Sequence, residues 1–440
     1  MTRVLVLSHT TGYQLRAFND AAETLGIELV FATDRCHKLD DPWQDRAIPV
    51  RFHELDAAVE AIAGRARQYP VDGVMAVGDR PVVLAARAAQ ALGLRWHSVA
   101  GATASADKCR SRAILAAAGL PAPRFRVVRS GMRDSASATR DSGFPCVLKP
   151  LGLSGSRGVI RANDPRELDA ALARIGALLA RPDLRAARTG LDHEILVEDY
   201  IDGREYALEG VLTGGGLRVF AIFDKPDPLE GPFFEETIYV TPSRLPAAAQ
   251  ARITDHVGRA SHALGLSHGP IHAECRITRD GAVYVLEVAA RPIGGLCSRV
   301  LTFTGAGSWG QGQGRVRQRY GTQGAGSLEA VLLQHAIGQP IGAYTREDAG
   351  AAVMMIPIPS RGLYKGVQGE TEARAVPGVT EVRITAKVGQ LLETLPEAGS
   401  YLGFIFARGA TAAAAEAAVR AAHQKLTFAV SRELAVNSYS

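Results

Sequence analysis

The sequence predicts a chain of mixed α/β and α+β class, with a parallel αβ domain first, an α+β segment in the middle and a further αβ unit at the end. Three observations predict it. Over the first hundred residues short apolar runs alternate with amphipathic helical stretches, the pattern of a parallel sheet with helices on both faces. From Phe144 the pattern changes to short strands around glycine loops, and after Leu328 strand and helix signals resume.

Element by element, Arg3 to Leu7 reads as a strand, and Gly12 as the turn before a helix running to about Leu25. Ile27 to Ala32 and Gly73 to Val77 read as strands, Leu55 to Gln68 and Pro81 to Leu92 as helices. The first turn lacks G-x-G-x-x-G, which argues against a dinucleotide site there. Ser105 to Gly119 reads as a helix closed by glycine and then Pro121 and Pro123. Further helices are expected at Pro165 to Ala180 and Pro246 to Leu264. The stretch 304–327, rich in glycine and glutamine, reads as an insertion loop, either disordered or a basic mobile lid over a substrate pocket. Strands follow at Val353 to Ile358, Glu381 to Lys387 and Ser400 to Ala407, and the Ala-rich Thr411 to Phe428 reads as a closing helix.

Composition bounds the function. A chain of 440 residues suffices for two or three cores, and 47% apolar with 22% charged residues is ordinary globular usage. The formal charge of +5 carries no basic block interleaved with aromatics, which argues against nucleic acid as a partner. No run reaches the roughly twenty apolar residues of a membrane helix, and the first residues lack signal-peptide character. Cys36, Cys109, Cys146, Cys275 and Cys297 are scattered, with no CxxC, as in a reduced, cytoplasmic protein without disulfides or structural zinc.

Three segments concentrate chemistry. In Phe144-Pro-Cys-Val-Leu-Lys-Pro-Leu-Gly-Leu-Ser-Gly-Ser-Arg-Gly a strand ends in Lys149, and Gly152, Gly155 and Gly158 space the loop that follows. The loop joins two strands, so it is neither a Walker A nor a Rossmann turn. Its glycines let backbone N–H groups approach an anion, Ser154 and Ser156 add hydroxyls, and Lys149 adds a compact charge. Only seven lysines occur in this Arg-rich chain, so a lysine kept here suggests a need for a slender cation. The competing interpretation is a plain hairpin with a surface lysine. The second segment runs from Glu194 through the turn Asp202-Gly203. Its edge at Glu198, Asp199, Tyr200 and Ile201 can offer backbone groups to an adenine, and Glu205 suits ribose hydroxyls; a solvated hairpin explains the same charges.

The third segment carries the most. Asp280-Gly281 is a hairpin signal, and pairing of its strands would set Glu274 close to opposite Glu287. Two carboxylates so placed repel unless a cation separates them, and magnesium takes such hard oxygens. His272 shares the strand face of Glu274. Arg291 precedes a turn with exposed N–H groups at Gly294 and Gly295, and its fork suits a carboxylate or a moving phosphoryl group. A solvated salt-bridge ladder is the alternative, against which the apolar neighbours of Glu287 argue.

In their order and spacing these segments resemble the ATP-grasp superfamily, and most of all its L-amino acid ligases, which make dipeptides, and biotin-carboxylase-like members. The resemblance implies a pre-ATP-grasp domain over 1–105 and an ATP-grasp domain over 106–303, whose two α+β subdomains sandwich ATP and whose flap subdomain spans about 124–201. It further implies a C-terminal αβ domain of L-amino acid ligase type over 328–440, with Leu395 to Gly409 resembling that group. On this resemblance Lys108 and Lys149 bind nucleotide, Gly152 to Gly158 form the phosphate flap, Glu198 to Ile201 the adenine hinge and Glu205 the ribose acid. Glu274 and Glu287 are the metal ligands, Arg291 steadies an acyl phosphate, and His272, Gly294 and Gly295 face substrate. One departure stands out: where many relatives read E-x-N-x-R, this chain reads Glu287-Val-Ala-Ala-Arg, so Ala289 replaces a metal-binding Asn. One or two ions, magnesium or manganese, remain open.

The implied activity is ATP-dependent carbon–nitrogen ligation, in which a small carboxylate is activated as an acyl phosphate and captured by an amine. Arg291, Lys149 and His272 are its implied catalytic residues, with a homodimer as in relatives and neither nucleic acid nor membrane as partner. The alternatives are a carboxylase or purine-pathway ligase of the same superfamily and a non-catalytic ATP-binding sensor. No biotin-type Met-Lys-Met occurs. The identity of acid and amine is not written in the sequence.

Overall fold

Val4 to Leu7 and Val74 to Val77 are all buried, as expected of strands covered on both faces. They belong to β1 (Arg3–Ser8) and β4 (Gly73–Val77), which with β2 (Glu28–Thr33) and β3 (Ile48–Pro49) form a parallel sheet of order β3-β2-β1-β4. Strand order reverses between β1 and β4, and a crevice opens at such a point beyond the carboxyl ends of the strands. Asp79 follows β4 directly into it. The computed structural model describes residues 1–9, 14–34, 47–130, 143–186, 190–191, 193–305 and 326–431; Gly12, Cys36 and residues 306–325 of the expected insertion lie outside them.

The expected single helix from Ser105 to Gly119 is two helices, Val99–Ala106 and Lys108–Ala117. Asp107 breaks them: its backbone is extended and its carboxylate accepts the N–H of Arg110 at 3.0 Å, capping the second helix. Lys108 and Arg112 thereby share one helix face, four residues apart.

An antiparallel sheet of order β5-β8-β6-β7 follows, from β5 (Phe125–Arg129), β6 (Cys146–Pro150), β7 (Ile160–Ala162) and β8 (Glu194–Asp199). The helix Pro165–Leu179 backs it, burying Leu168, Ala171, Ile175 and Leu179 against Leu148, Ile160, Ile195 and Val197.

The opposite wall is larger. It starts with β9 (Arg204–Thr213), β10 (Gly216–Asp224), β11 (Ile238–Thr241), β12 (Gly269–Ile277) and β13 (Val283–Ala289). Beyond come β14 (Thr302–Thr304), β15 (Gly326–Ser327), β16 (Thr345–Arg346), β17 (Gly350–Ile356), β18 (Gly362–Gln368), β19 (Val379–Ile384), β20 (Leu391–Leu392), β21 (Gly403–Gly409) and β22 (Thr427–Ser431). One eight-stranded sheet, β13-β12-β9-β10-β11-β17-β21-β19, runs through both regions. The strands of the final αβ unit therefore extend the middle sheet, joined where β11 pairs antiparallel with β17 from Ile238↔Met354 to Thr241↔Ala351. Each strand covers an edge the other would leave open.

Several boundaries differ from the sequence reading: the strands expected at Val353 to Ile358, Glu381 to Lys387 and Ser400 to Ala407 are Gly350–Ile356, Val379–Ile384 and Gly403–Gly409. The Ala-rich helix ends at His423, and Phe428 belongs to β22, which pairs with β18. The ends of the 304–327 stretch are strand residues, with Thr302 and Phe303 of β14 paired to Ser327 and Gly326 of β15. Among the described residues no helix is long and apolar enough to cross a membrane.

Candidate functional site

A cleft lies between the two walls, and nearly every residue singled out from the sequence lines it. From the flap side come Lys149, Ser154, Gly155, Ser156, Glu198, Asp199, Tyr200 and Ile201; Lys108 stands at the helix start; Glu205, His272, Glu274, Glu287, Arg291, Gly294 and Gly295 come from the large sheet and its turn. Gly152 and Gly158 do not line it. Gly158 is a packing glycine with φ +76°, where a Cβ would come within 2.5 Å of Pro150 Cγ.

At the end of the cleft nearest Lys108, Gly155 and Ser156 both adopt left-handed backbone, at φ +63° and 56°, so the loop is tightly curled there. Lys108 Nζ donates to the Leu153 carbonyl at 2.9 Å, tying the helix start to this loop. Lys149 Nζ lies 2.6 Å from Glu198, whose other contact is the Arg112 guanidinium at 2.8 Å. Glu198 is thus a buried anchor for two cations, a role its position in the expected adenine hinge did not suggest. Burial pushes its carboxyl up, but Arg112 and Lys149 outweigh burial and leave it at about 2. Asp199 turns the other way, to Arg124 at 2.8 Å.

The other end of this wall is apolar. Val147, Leu229, Phe234, Val159 and Tyr200 cluster, with Tyr200 tilted over Phe234 at 6.5 Å between centroids. Arg276 lies over both rings, at 5.2 and 5.5 Å, and donates to the carbonyls of Ile201 at 2.8 Å and Leu229 at 2.5 Å. It also holds Glu205 at 2.9 Å, while the second Glu205 oxygen accepts from Lys225 at 2.7 Å.

On the large sheet the Asp280-Gly281 hairpin forms, and Glu274 sits opposite Glu287 in the β12–β13 register. The register shifts just beyond this pair, past Leu286, whose carbonyl accepts from Arg112 at 2.6 Å. Lys225 Nζ reaches Glu205, Glu236 and Glu274 at 2.7, 2.5 and 2.8 Å. Burial drives the Glu236 carboxyl up to about 8, against the pull of Lys225. His272 pairs with Glu209 at 3.1 Å, and burial followed by the charge of Arg291 holds its imidazole down at about 3, so it is neutral near pH 7. Glu209 also accepts the Ile293 N–H at 3.1 Å, which fixes the turn carrying Gly294 and Gly295. Arg291 is held by Asp79 of the first domain at 2.6 Å; burial opposes its charge, but the Asp79 carboxylate outweighs burial and holds the guanidinium protonated.

Sequence reasoning missed Asp79, Arg112, Glu209, Lys225, Glu236 and Arg276. The rarity argument applied to Lys149 marks Lys225 equally, as one of the seven lysines. Arg112 was accessible through its i+4 spacing from Lys108. The others depend on contacts distant in sequence.

Glu274 and Glu287 stand opposite each other in the β12–β13 register and both line the cleft, so their carboxylates could hold a hard divalent ion. The oxygens of Glu205, Glu236 and Glu274 also lie within 4.8 Å of one another, but Lys225 already bridges all three and Arg276 holds Glu205 as well.

Three family models match in chain order: "ATP-grasp N-terminal domain" over residues 19–94, "ATP-grasp domain" over 142–300 and "L-amino acid ligase C-terminal domain 2" over 354–431. The crystal structure of an L-amino acid ligase from Bacillus licheniformis is similar with TM-score 0.79 and 26% identity, covering 98% of this chain and 99% of that one. The alanine–anticapsin ligase of Bacillus subtilis is 27% identical over 249 residues, 54% of this chain and 52% of that protein. A D-alanine–D-alanine ligase of Aromatoleum aromaticum is 30% identical over 201 residues, 44% of this chain and 60% of that protein. The matches to these two ligases thus span about half of their length.

Proposed function

Because this chain belongs to the ATP-grasp superfamily, we propose that it is an ATP-dependent carbon–nitrogen ligase joining an amino acid, or another small carboxylate, to an amine through an acyl phosphate. The observation that carries this reading is the convergence on one cleft of Lys108, Lys149 and the Ser154–Ser156 loop with Glu274, Glu287 and Arg291. The apolar cluster around Tyr200 and Phe234 takes the adenine, which directs the phosphates toward the loop and the carboxylate pair.

In the first step a substrate carboxylate oxygen attacks the γ-phosphorus; its bond to the bridging oxygen breaks and ADP leaves. Lys108, Lys149 and Arg291 neutralise charge on the moving phosphoryl oxygens, most of what this chemistry asks of a protein. Glu274 and Glu287 would hold a magnesium ion, which would supply further neutralisation when bound; Ala289 adds no side-chain ligand, which favours one ion. In the second step the amine nitrogen attacks the acyl carbon, the C–O bond to phosphate breaks, and phosphate departs with the proton. Neutral His272 orients substrate through a hydrogen bond rather than a charge. A cytoplasmic location and a homodimer, the latter common in relatives, are further parts of the proposal, and sedimentation tests the assembly.

A phosphate-release screen over paired amino acids, with mass spectrometry of the products, tests the proposal. An amide product with stoichiometric ADP is expected; ATP binding without ADP release across the whole panel would favour the sensor instead. Lys149→Ala is expected to raise the KM for ATP roughly ten- to a hundredfold, the loss of one charge-assisted contact. Unchanged kinetics would discard the phosphate assignment of that loop.

A further inference from the structure

The loop that faces the phosphate end of the cleft is gripped from outside by the C-terminal region. The Gly158 N–H donates to the Pro396 carbonyl at 2.8 Å, and Arg157 Nε donates to the Glu397 carbonyl at 3.0 Å. Arg174, on the helix backing the flap sheet, donates to both Glu397 carboxylate oxygens at 2.6 and 2.9 Å. Arg181, just past the same helix, reaches Glu393 at 2.6 Å. The segment then runs to Tyr401, which lines the cleft and packs against Phe404 at 6.3 Å between centroids. One short stretch of chain therefore touches the outer face of the flap and the interior of the site.

We propose that Glu393–Tyr401 is a latch that holds the phosphate flap shut, with Glu393 and Glu397 as positioning residues that keep water from the activated intermediate. Exposed ion pairs are usually weak, but a two-pronged arginine–carboxylate contact fixes geometry, and here backbone hydrogen bonds reinforce it. The Arg174 hydrogen bonds hold the Glu397 carboxyl below the usual range, so the contact is fully charged at neutral pH. The geometry stands independently; the consequence rests on the acyl-phosphate reading. If the flap opens early, a water oxygen attacks the acyl carbon, the C–O bond to phosphate breaks, and free carboxylate, phosphate and a proton result. The net reaction is then ATP hydrolysis without an amide.

The test uses the full chain carrying Glu397→Gln, the double change Glu393→Gln with Glu397→Gln, and the charge swap Arg174→Glu with Glu397→Arg. Hydrogen exchange of the 152–159 amides, without nucleotide, is expected to quicken about tenfold in the double variant and to return toward wild type in the swap. Phosphate released per amide formed should rise in the double variant and stay stoichiometric in wild type. Unaltered exchange overturns the latch, and faster exchange with unaltered stoichiometry overturns its role in excluding water. If the wild type makes no amide from any pair, the ligase reading fails while the exchange result still decides the latch.

Discussion

Glu287→Gln is expected to lower ADP formation by about a thousandfold or more while the protein stays folded. Glutamine keeps the shape of the side chain and removes the negative charge that would bind a divalent ion. Glu287 takes no part in the Lys225 cluster, so its neutralisation breaks none of those ion pairs. Glu274→Gln should cost turnover similarly, but it also takes from Lys225 a partner at 2.8 Å and should lower the melting temperature as well. A coupled ADP assay beside a thermal melt separates the two effects. Wild-type ADP formation in both variants would remove the metal assignment altogether.

Glu198→Gln is expected to destabilise the protein by about 3–5 kcal/mol, because it leaves Arg112 and Lys149 facing each other without the charge that balances them. Burial raises its carboxyl, but Arg112 and Lys149 outweigh burial and draw it down to about 2. The folded value lies below the unfolded one, so this contribution is complete above about pH 4.5, declines as pH falls, and is gone below about 2. Urea unfolding across that window should show the loss in wild type and a flatter profile in the variant. Adding Arg112→Leu should cost less than the sum of the single changes, since the unpaired cation goes too. A change below about 1 kcal/mol for Glu198→Gln would deny it the anchoring role.

The parts of this fold legible in advance were those written in local pattern. The apolar run at β1, the helix Leu55–Gln68 and the Asp280-Gly281 turn each follow from neighbouring residues, and that turn sets Glu274 against Glu287. The helix break at Asp107 was less visible, because an aspartate reads equally as an exposed helical residue until its carboxylate is seen capping Arg110. Partnerships across long separations left no local mark. Asp79 meets Arg291 over 212 positions and Arg112 meets Glu198 over 86, and periodicity says nothing of either. Glu198 was therefore noticed for its place in a strand edge, whereas its carboxylate serves two cations on the inside.

The seam between β11 and β17 bears on any attempt to build chimeras from relatives. Crossing over between residues 300 and 354, where the matched family segments suggest a natural joint, divides that seam between two parents. Ile238 to Thr241 from one source must then zip onto Ala351 to Met354 from another, or two sticky borders meet solvent and invite clumping. A cassette meant to carry a new substrate preference should bring both strands together.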